Sequence, residues 1–187
     1  MTALKEKKAA GIAKILIDED AIQQRVRELA AELDTIYADH PPLMVGVLTG
    51  AMTFMSDLMR AMTIPVLVDF MAVSSYGAST KTSGVVRILK DLNENVEGRR
   101  VLVIEDIVDS GLTLQYLLDV LRRRNPSDIR VVALLRKQKT DAIDVQVDAV
   151  GFTIPDEFVV GYGLDYAGLY RNLPFVAVLD SPTIPEG

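Results

Sequence analysis

The sequence has no cysteine and no tryptophan, and histidine occurs once. Without cysteine there is neither a disulfide framework nor a thiolate metal site. The only histidine, His40, precedes Pro41-Pro42 and reads as a solvated turn residue, not a catalyst. No apolar run reaches the ~18 residues that span a bilayer. The opening MTALKEKKAAG has no apolar core of the kind a secretion signal needs. A cytoplasmic protein with no membrane partner is the expectation. Basic excess is also missing, since the net charge is −6. Arg122-Arg123-Arg124 is the densest basic cluster, and it closes a helical pattern where cations offset the helix dipole. No nucleic-acid partner is expected from that charge balance.

What is present is an ordinary globular composition, 49% hydrophobic and 25% charged, with no internal repeat or low-complexity segment. The 187 residues suffice for one domain with a substantial core, or one domain plus a small lobe. Residues 14–18 alternate and suggest a strand in a minor lobe. Residues 20–38 carry a helical stripe of Ile22, Val26, Leu29, Ala30, Leu33, Ile36 and Tyr37, capped by Asp18 or Asp20. Strands are expected over 43–48, 66–74, 85–89, 101–104, 130–135 and 175–179, and helices over 52–62 and 114–124. The four methionines of the first of these helices, at 52, 55, 59 and 62, suit either an interface or the core. Alternating strands and helices from Leu43 to Leu135 imply an α/β fold with a mostly parallel sheet flanked by helices.

The most informative stretch is VLVIEDIVDSGLT, residues 101–113. Its apolar run reads as a strand buried on both faces. Then come Glu105 and Asp106, a third carboxylate at Asp109, and a small turn of Ser110, Gly111, Leu112 and Thr113 before a helix. In open α/β sheets ligands bind where strands end and helices begin. Free amides at that helix N-terminus would hold a phosphate, with the Ser110 and Thr113 hydroxyls adding donors. Three carboxylates would repel a bare phosphate, so the ligand should also present hydroxyls and a divalent cation. A ribose phosphate carrying magnesium pyrophosphate meets all three demands.

EDIVDSGLT resembles the phosphoribosyl-pyrophosphate motif of the type I phosphoribosyltransferases. Two further stretches, VDFMAVSSYG at 68–77 and GFTIPDEFVVGYGLDYAGLYRNLP at 151–174, are similar to the hypoxanthine (or hypoxanthine-guanine) phosphoribosyltransferases of bacterial type. The resemblance covers residues 14–180. It implies a single domain over 1–187, with a core at about 41–150 and a small hood from about 12–40 and 151–187. It implies purine salvage, moving the phosphoribosyl group to hypoxanthine, with or without guanine, and releasing pyrophosphate. The cofactor implied is Mg2+, held by Glu105, Asp106 and Asp165.

The same resemblance assigns the remaining roles. Asp109 is the catalytic base, and residues 109–113 with Glu105 and Asp106 bind phosphoribosyl pyrophosphate. Thr49 and Gly50, in a strand–loop–helix junction, and Arg171 take the pyrophosphate. Many relatives carry a basic residue where Thr49 stands, so a side-chain charge is lost here. Lys137 reads the purine's 6-oxo group, Phe158 stacks on the ring, and main-chain groups near Val159 and Asp165 read its 2-position. From the residues alone, Lys137 could equally be solvated and Phe158 a core residue. Ser75 and Tyr76 open a polar, glycine-flanked segment that is either a hairpin loop or a lid excluding water. A homo-oligomer, dimer or tetramer, is implied as well. The alternatives are a non-catalytic RNA-binding regulator on the same fold, or a transferase preferring another base such as xanthine.

Overall fold

The computed structural model describes residues 11–75, 86–140 and 142–179. Tyr76 and most of the expected lid lie outside these residues. Nine strands and three helices are named within them: β1 (Ile12–Ile17), α1 (Glu19–Ile36), β2 (Leu43–Leu48), α2 (Met52–Ala61), β3 (Leu67–Ser75) and β4 (Val86–Lys90) come first. They are followed by β5 (Arg100–Val108), α3 (Leu112–Arg122), β6 (Asp128–Lys137), β7 (Ala149–Ile154), β8 (Val159–Val160) and β9 (Val176–Leu179).

Six strands form the main sheet in the order β4-β3-β2-β5-β6-β7. Only β4 runs antiparallel to its neighbour; the other pairings are parallel. The remaining strands form a separate antiparallel sheet, β1-β9-β8, which joins the two ends of the described chain. Alternation within each central strand explains why their sequences are apolar without interruption. Val101 and Val103 pack with Leu114, Leu117 and Leu121 of α3. Leu102 and Ile104 pack with α1 and α2 through Leu29, Phe54 and Leu58. Successive side chains point to opposite faces, and both faces are covered.

This arrangement fixes where a ligand can sit. From β2 the chain crosses through α2 on one face to β3, and from β5 it crosses through α3 on the other face to β6. The two crossovers leave in opposite directions, so the C-terminal ends of β2 and β5 diverge and open a cleft at the switch point. Pairing of β2 with β5 stops at Gly46 and Ile104, whereas β5 continues beside β6 as far as Val108.

α1 begins at Asp18, whose carboxylate accepts from the Ala21 N–H at 2.8 Å. Its buried face is the expected one except for Ile36, which is exposed at the last turn. The methionines of α2 and its C-cap divide: Met55 and the cap residue Met62 are buried, Met52 and Met59 are exposed. Arg25 of α1 donates to the Val150 carbonyl at 3.2 Å and ties the helix to β7.

Asp69, buried on β3, fastens the turn after β4. It accepts from the backbone N–H groups of Asn93 (2.7 Å), Phe70 (2.7 Å) and Glu94 (2.9 Å), and lies 3.5 Å from the Lys90 ammonium. Burial pushes its carboxyl up, but the three N–H donors and Lys90 outweigh burial and hold it below the ordinary range. A depressed carboxylate stabilises the fold above its unfolded value, ~3.9, and that stability is lost as pH falls through the folded value. Asp69→Ala should therefore cost about 2–4 kcal/mol at neutral pH, because it orphans buried donors. Urea unfolding at pH 7 and pH 3 checks this, with the gap between variant and wild type narrowing in acid.

Candidate active site

β5 is longer than the sequence suggests. It runs from Arg100 to Val108, so Glu105 and Asp106 lie within the strand and not in a loop after it. Their positions are thus set by the ladder to β6, where Glu105 pairs with Ala133. By alternation they continue opposite faces, Glu105 that of Val103 and Asp106 that of Ile104. Glu105 is buried and Asp106 half-buried, and loss of water around them raises both carboxyls. Glu105 goes well above its ordinary value, pushed further by the neighbouring Asp106 charge. Asp106 goes up to about 6, although its own backbone bonds and Arg171 oppose burial. Two adjacent carboxylates, one buried and one half-buried, are costly to ionise together unless a cation or hydroxyl donors meet them.

A cavity of about 430 Å³ opens over this end of the sheet. Its walls include Thr49, Gly50, Glu105, Asp106, Asp109, Ser110, Gly111, Thr113, Asp165 and Arg171. Leu112 is absent from the lining and half-exposed, so within this turn only its backbone can serve the cavity. Gly111 is the N-cap of α3 with φ +80°, a conformation glycine adopts without penalty. No side chain caps this helix beyond a 3.4 Å approach of the Ser110 hydroxyl to the Leu112 N–H. The N-terminal amides are therefore left for an anion, as the helix dipole favours. The Ile143 N–H donates to the Ser110 carbonyl at 2.9 Å, bracing the turn from the segment after β6.

Opposite this turn, the Leu48–Thr49 peptide bond is cis. Gly50 fits against the Asp106 carboxylate so closely that a Cβ there would overlap Asp106 Oδ2. Its carbonyl in turn abuts Gly163 of the hood. Arg171 donates to the Gly163 carbonyl at 2.6 Å and pairs with Asp165 Oδ1 at 2.7 Å. The hood thus brings one cation and one carboxylate to the same cavity.

Lys137, Phe158 and Val159 do not line that cavity. Lys137, the last residue of β6, reaches it through Asp109, with Nζ 3.0 Å from Asp109 Oδ2. Phe158 is 54% exposed, so it is not a core residue; its ring meets Tyr166 edge-on at 5.6 Å. Val159 is buried in β8. Ser75 ends β3, and Tyr76 lies outside the described residues.

Sequence reading missed two participants. Lys139 Nζ lies 2.5 Å from Asp109 Oδ1, and Asp156 Oδ1 is 3.4 Å from both lysine ammonium groups. Burial alone would raise the Asp109 carboxyl, but Lys139 and Lys137 hold it below its ordinary value. Among the described residues, no group of three or more His, Cys, Asp and Glu side chains is spaced to hold a metal by itself. The three carboxylates expected to hold Mg2+, Glu105, Asp106 and Asp165, thus do not converge on one point. No helix among the described residues is long and apolar enough to cross a membrane.

A model of the phosphoribosyl transferase domain family matches residues 13–167. The chain is 54% identical over 175 residues to hypoxanthine-guanine phosphoribosyltransferase of Bacillus subtilis, covering 94% of this chain and 97% of that one. It is 53% identical over 168 residues, 90% of its length, to the bifunctional protein TilS/HprT of Listeria monocytogenes, of which it spans 26%. A crystal structure of a hypoxanthine phosphoribosyltransferase from Staphylococcus aureus superposes with a TM-score of 0.88 at 41% identity, over 96% of both chains.

Proposed function

The chain belongs to the phosphoribosyltransferase family, and from that premise we propose that it transfers the 5-phosphoribosyl group of phosphoribosyl pyrophosphate to a 6-oxopurine. The product is a purine nucleotide, IMP from hypoxanthine and GMP if guanine is accepted. The observation that carries this reading is the contact of Lys137 with Asp109 at the edge of a cavity lined by helix-terminal amides and acidic side chains. It puts a donor for an oxo group beside an acceptor for a ring proton, next to a phosphate turn.

In this mechanism the 5-phosphate lies on the amides of residues 109–113 and the hydroxyls of Ser110 and Thr113. Glu105 and Asp106 accept from the ribose hydroxyls. Arg171 leaves Asp165 to fork two pyrophosphate oxygens, and the backbone of Thr49 and Gly50 closes over the same group. One or two of Glu105, Asp106 and Asp165, together with water and substrate phosphates, would hold Mg2+, which when bound offsets the charge of the departing pyrophosphate. The purine stacks on the exposed Phe158 ring and donates its edge to main-chain groups near Val159 and Asp165. Nitrogen 9 forms its bond to the anomeric carbon as the bond to pyrophosphate breaks. The proton on nitrogen 7 passes to Asp109. We place the protein in the cytoplasm as a homo-oligomer, and the exposed Met52 and Met59 supply apolar surface for such contacts.

Offering hypoxanthine, guanine, xanthine and adenine separately, with phosphoribosyl pyrophosphate and magnesium, tests the proposal by nucleotide formation. Turnover of hypoxanthine is expected; no turnover of any base would overturn it. Lys137→Ala should raise the KM for hypoxanthine about 10–100-fold, the worth of a charged hydrogen bond. It should also relax the rejection of adenine, because an ammonium donor cannot accept from a 6-amino group. Competition between hypoxanthine and adenine reads both effects, and an unchanged base preference would remove Lys137 from recognition.

A further inference from the structure

The two lysines divide the Asp109 carboxylate between them. Lys137 takes Oδ2 and Lys139 takes Oδ1, and both touch Asp156 Oδ1. Lys139 stands two residues beyond Lys137, and the intervening Gln138 N–H still donates to the Ile154 carbonyl at 2.9 Å. That bond continues the β6–β7 ladder, so the two ammonium groups emerge on one side from a fixed backbone. Among the described residues these three side chains are the charged groups facing Asp109 from β6 and from the turn after β7. Earlier in the chain the nearest carboxylates are Glu105 and Asp106 of β5. Four charges of alternating sign thus close on themselves.

A carboxylate oxygen keeps a second lone pair when an ammonium group holds it, but that ammonium lowers its basicity and crowds the approach of a ring proton. Proton transfer is thus easiest at the oxygen whose lysine has turned away. Ring nitrogen 7 and the 6-oxo group share one edge of a 6-oxopurine. A purine that draws Lys137 to its oxo group therefore presents nitrogen 7 to Oδ2, the oxygen Lys137 has released. Oδ1 stays with Lys139.

We propose that Lys139 is a positioning residue of the transfer reaction, holding Asp109 by Oδ1 so that Oδ2 faces the purine after Lys137 has moved. This rests on the transferase reading and adds to it a residue with no contact to either substrate. Two consequences follow from charge alone. Asp109 remains ionised, and therefore available as a base, further into acid than an unpaired carboxylate would. Its orientation survives the loss of Lys137, so purine binding does not loosen the group that must receive the proton.

The test compares wild type, Lys139→Met and Lys139→Arg by two readouts. In the first, the Asp109 carboxyl carbon is titrated by NMR in the ligand-free protein, the signal being assigned by its loss in Asp109→Asn. In the second, kcat/KM for hypoxanthine is followed against pH. Removing one neighbouring charge should raise the Asp109 midpoint in Lys139→Met by about one pH unit. The acid limb of the rate profile should rise by the same amount, with Lys139→Arg restoring both. A midpoint that does not move in Lys139→Met would overturn the contact. A midpoint that moves without the acid limb would overturn the role in the reaction. A wild-type chain that forms no nucleotide would instead sink the transferase reading, and the NMR titration would still decide whether Lys139 holds Asp109.

Discussion

Asp109→Asn should slow nucleotide formation about 10²–10⁴-fold, the usual worth of a positioned proton acceptor, while phosphoribosyl pyrophosphate still binds. Asparagine keeps the shape of the side chain and can accept a hydrogen bond, but it cannot take a proton at neutral pH. The phosphate turn would remain, since the Ser110 carbonyl still receives the Ile143 N–H and Gly111 still caps α3. What changes is the charge between Lys137 and Lys139, which would then share Asp156 alone. Purine binding is therefore expected to weaken as well as turnover to fall. Single-turnover rates, with calorimetric binding of phosphoribosyl pyrophosphate alongside, separate the two. Normal turnover in the variant would remove Asp109 as the base.

Gly50→Ala has the second large expected effect, and here the reason is space. A methyl group at residue 50 would occupy the place of Asp106 Oδ2. The opposite side of the loop offers no retreat, because the Gly50 carbonyl is already pressed against Gly163. Either the loop or the Asp106 side chain must shift by an ångström or more. Misplacement on that scale commonly costs about 10²-fold in rate. The loss should fall on kcat/KM for phosphoribosyl pyrophosphate, with hypoxanthine binding affected less, since Lys137 and Phe158 lie away from Gly50. The variant should keep its far-ultraviolet circular dichroism, as Gly50 precedes α2 and lies outside the sheet. Equal losses for the two substrates would contradict this account.

The two variants differ in how far the sequence alone could foretell them. Asp109 announces itself, because a carboxylate next to a serine–glycine–threonine turn after an apolar run carries its chemistry locally. The importance of Gly50 was legible only in part. Its place in a strand–loop–helix junction pointed to backbone contacts with an anion. Its tight fit between Asp106 and Gly163 depends on residues 56 and 113 positions away. The boundary of β5 shows a similar limit. Charged residues at 105 and 106 interrupt the apolar pattern, so the sequence pattern ends the strand at Ile104. The ladder to β6 continues regardless, because pairing depends on the partner's backbone and not on side-chain polarity.

Lys139 and Asp156 carry no local motif, for a related reason. Lys139 stands two residues beyond Lys137, past the end of β6, a spacing that carries no chemistry without a partner. Asp156 follows Pro155 in the turn after the end of β7, and nothing in its neighbouring residues marks it. Only the parallel alignment of β6 with β7, which puts Lys137 beside Ile154, brings that turn against the two lysines.

What the sequence determined by itself was therefore everything encoded over short spans. It includes the α/β alternation, the amphipathic stripe of α1 and the glycine turn at the start of α3. Periodicity and helix-terminal chemistry operate over a few residues, so a linear reading captures them. The tertiary structure alone decided the order of the strands, the switch point between β2 and β5, and the burial that raises Glu105 and Asp106. It also decided the ring of lysines and carboxylates around Asp109. Those features arise from pairings between distant segments, where burial and charge are set by neighbours that no local pattern names.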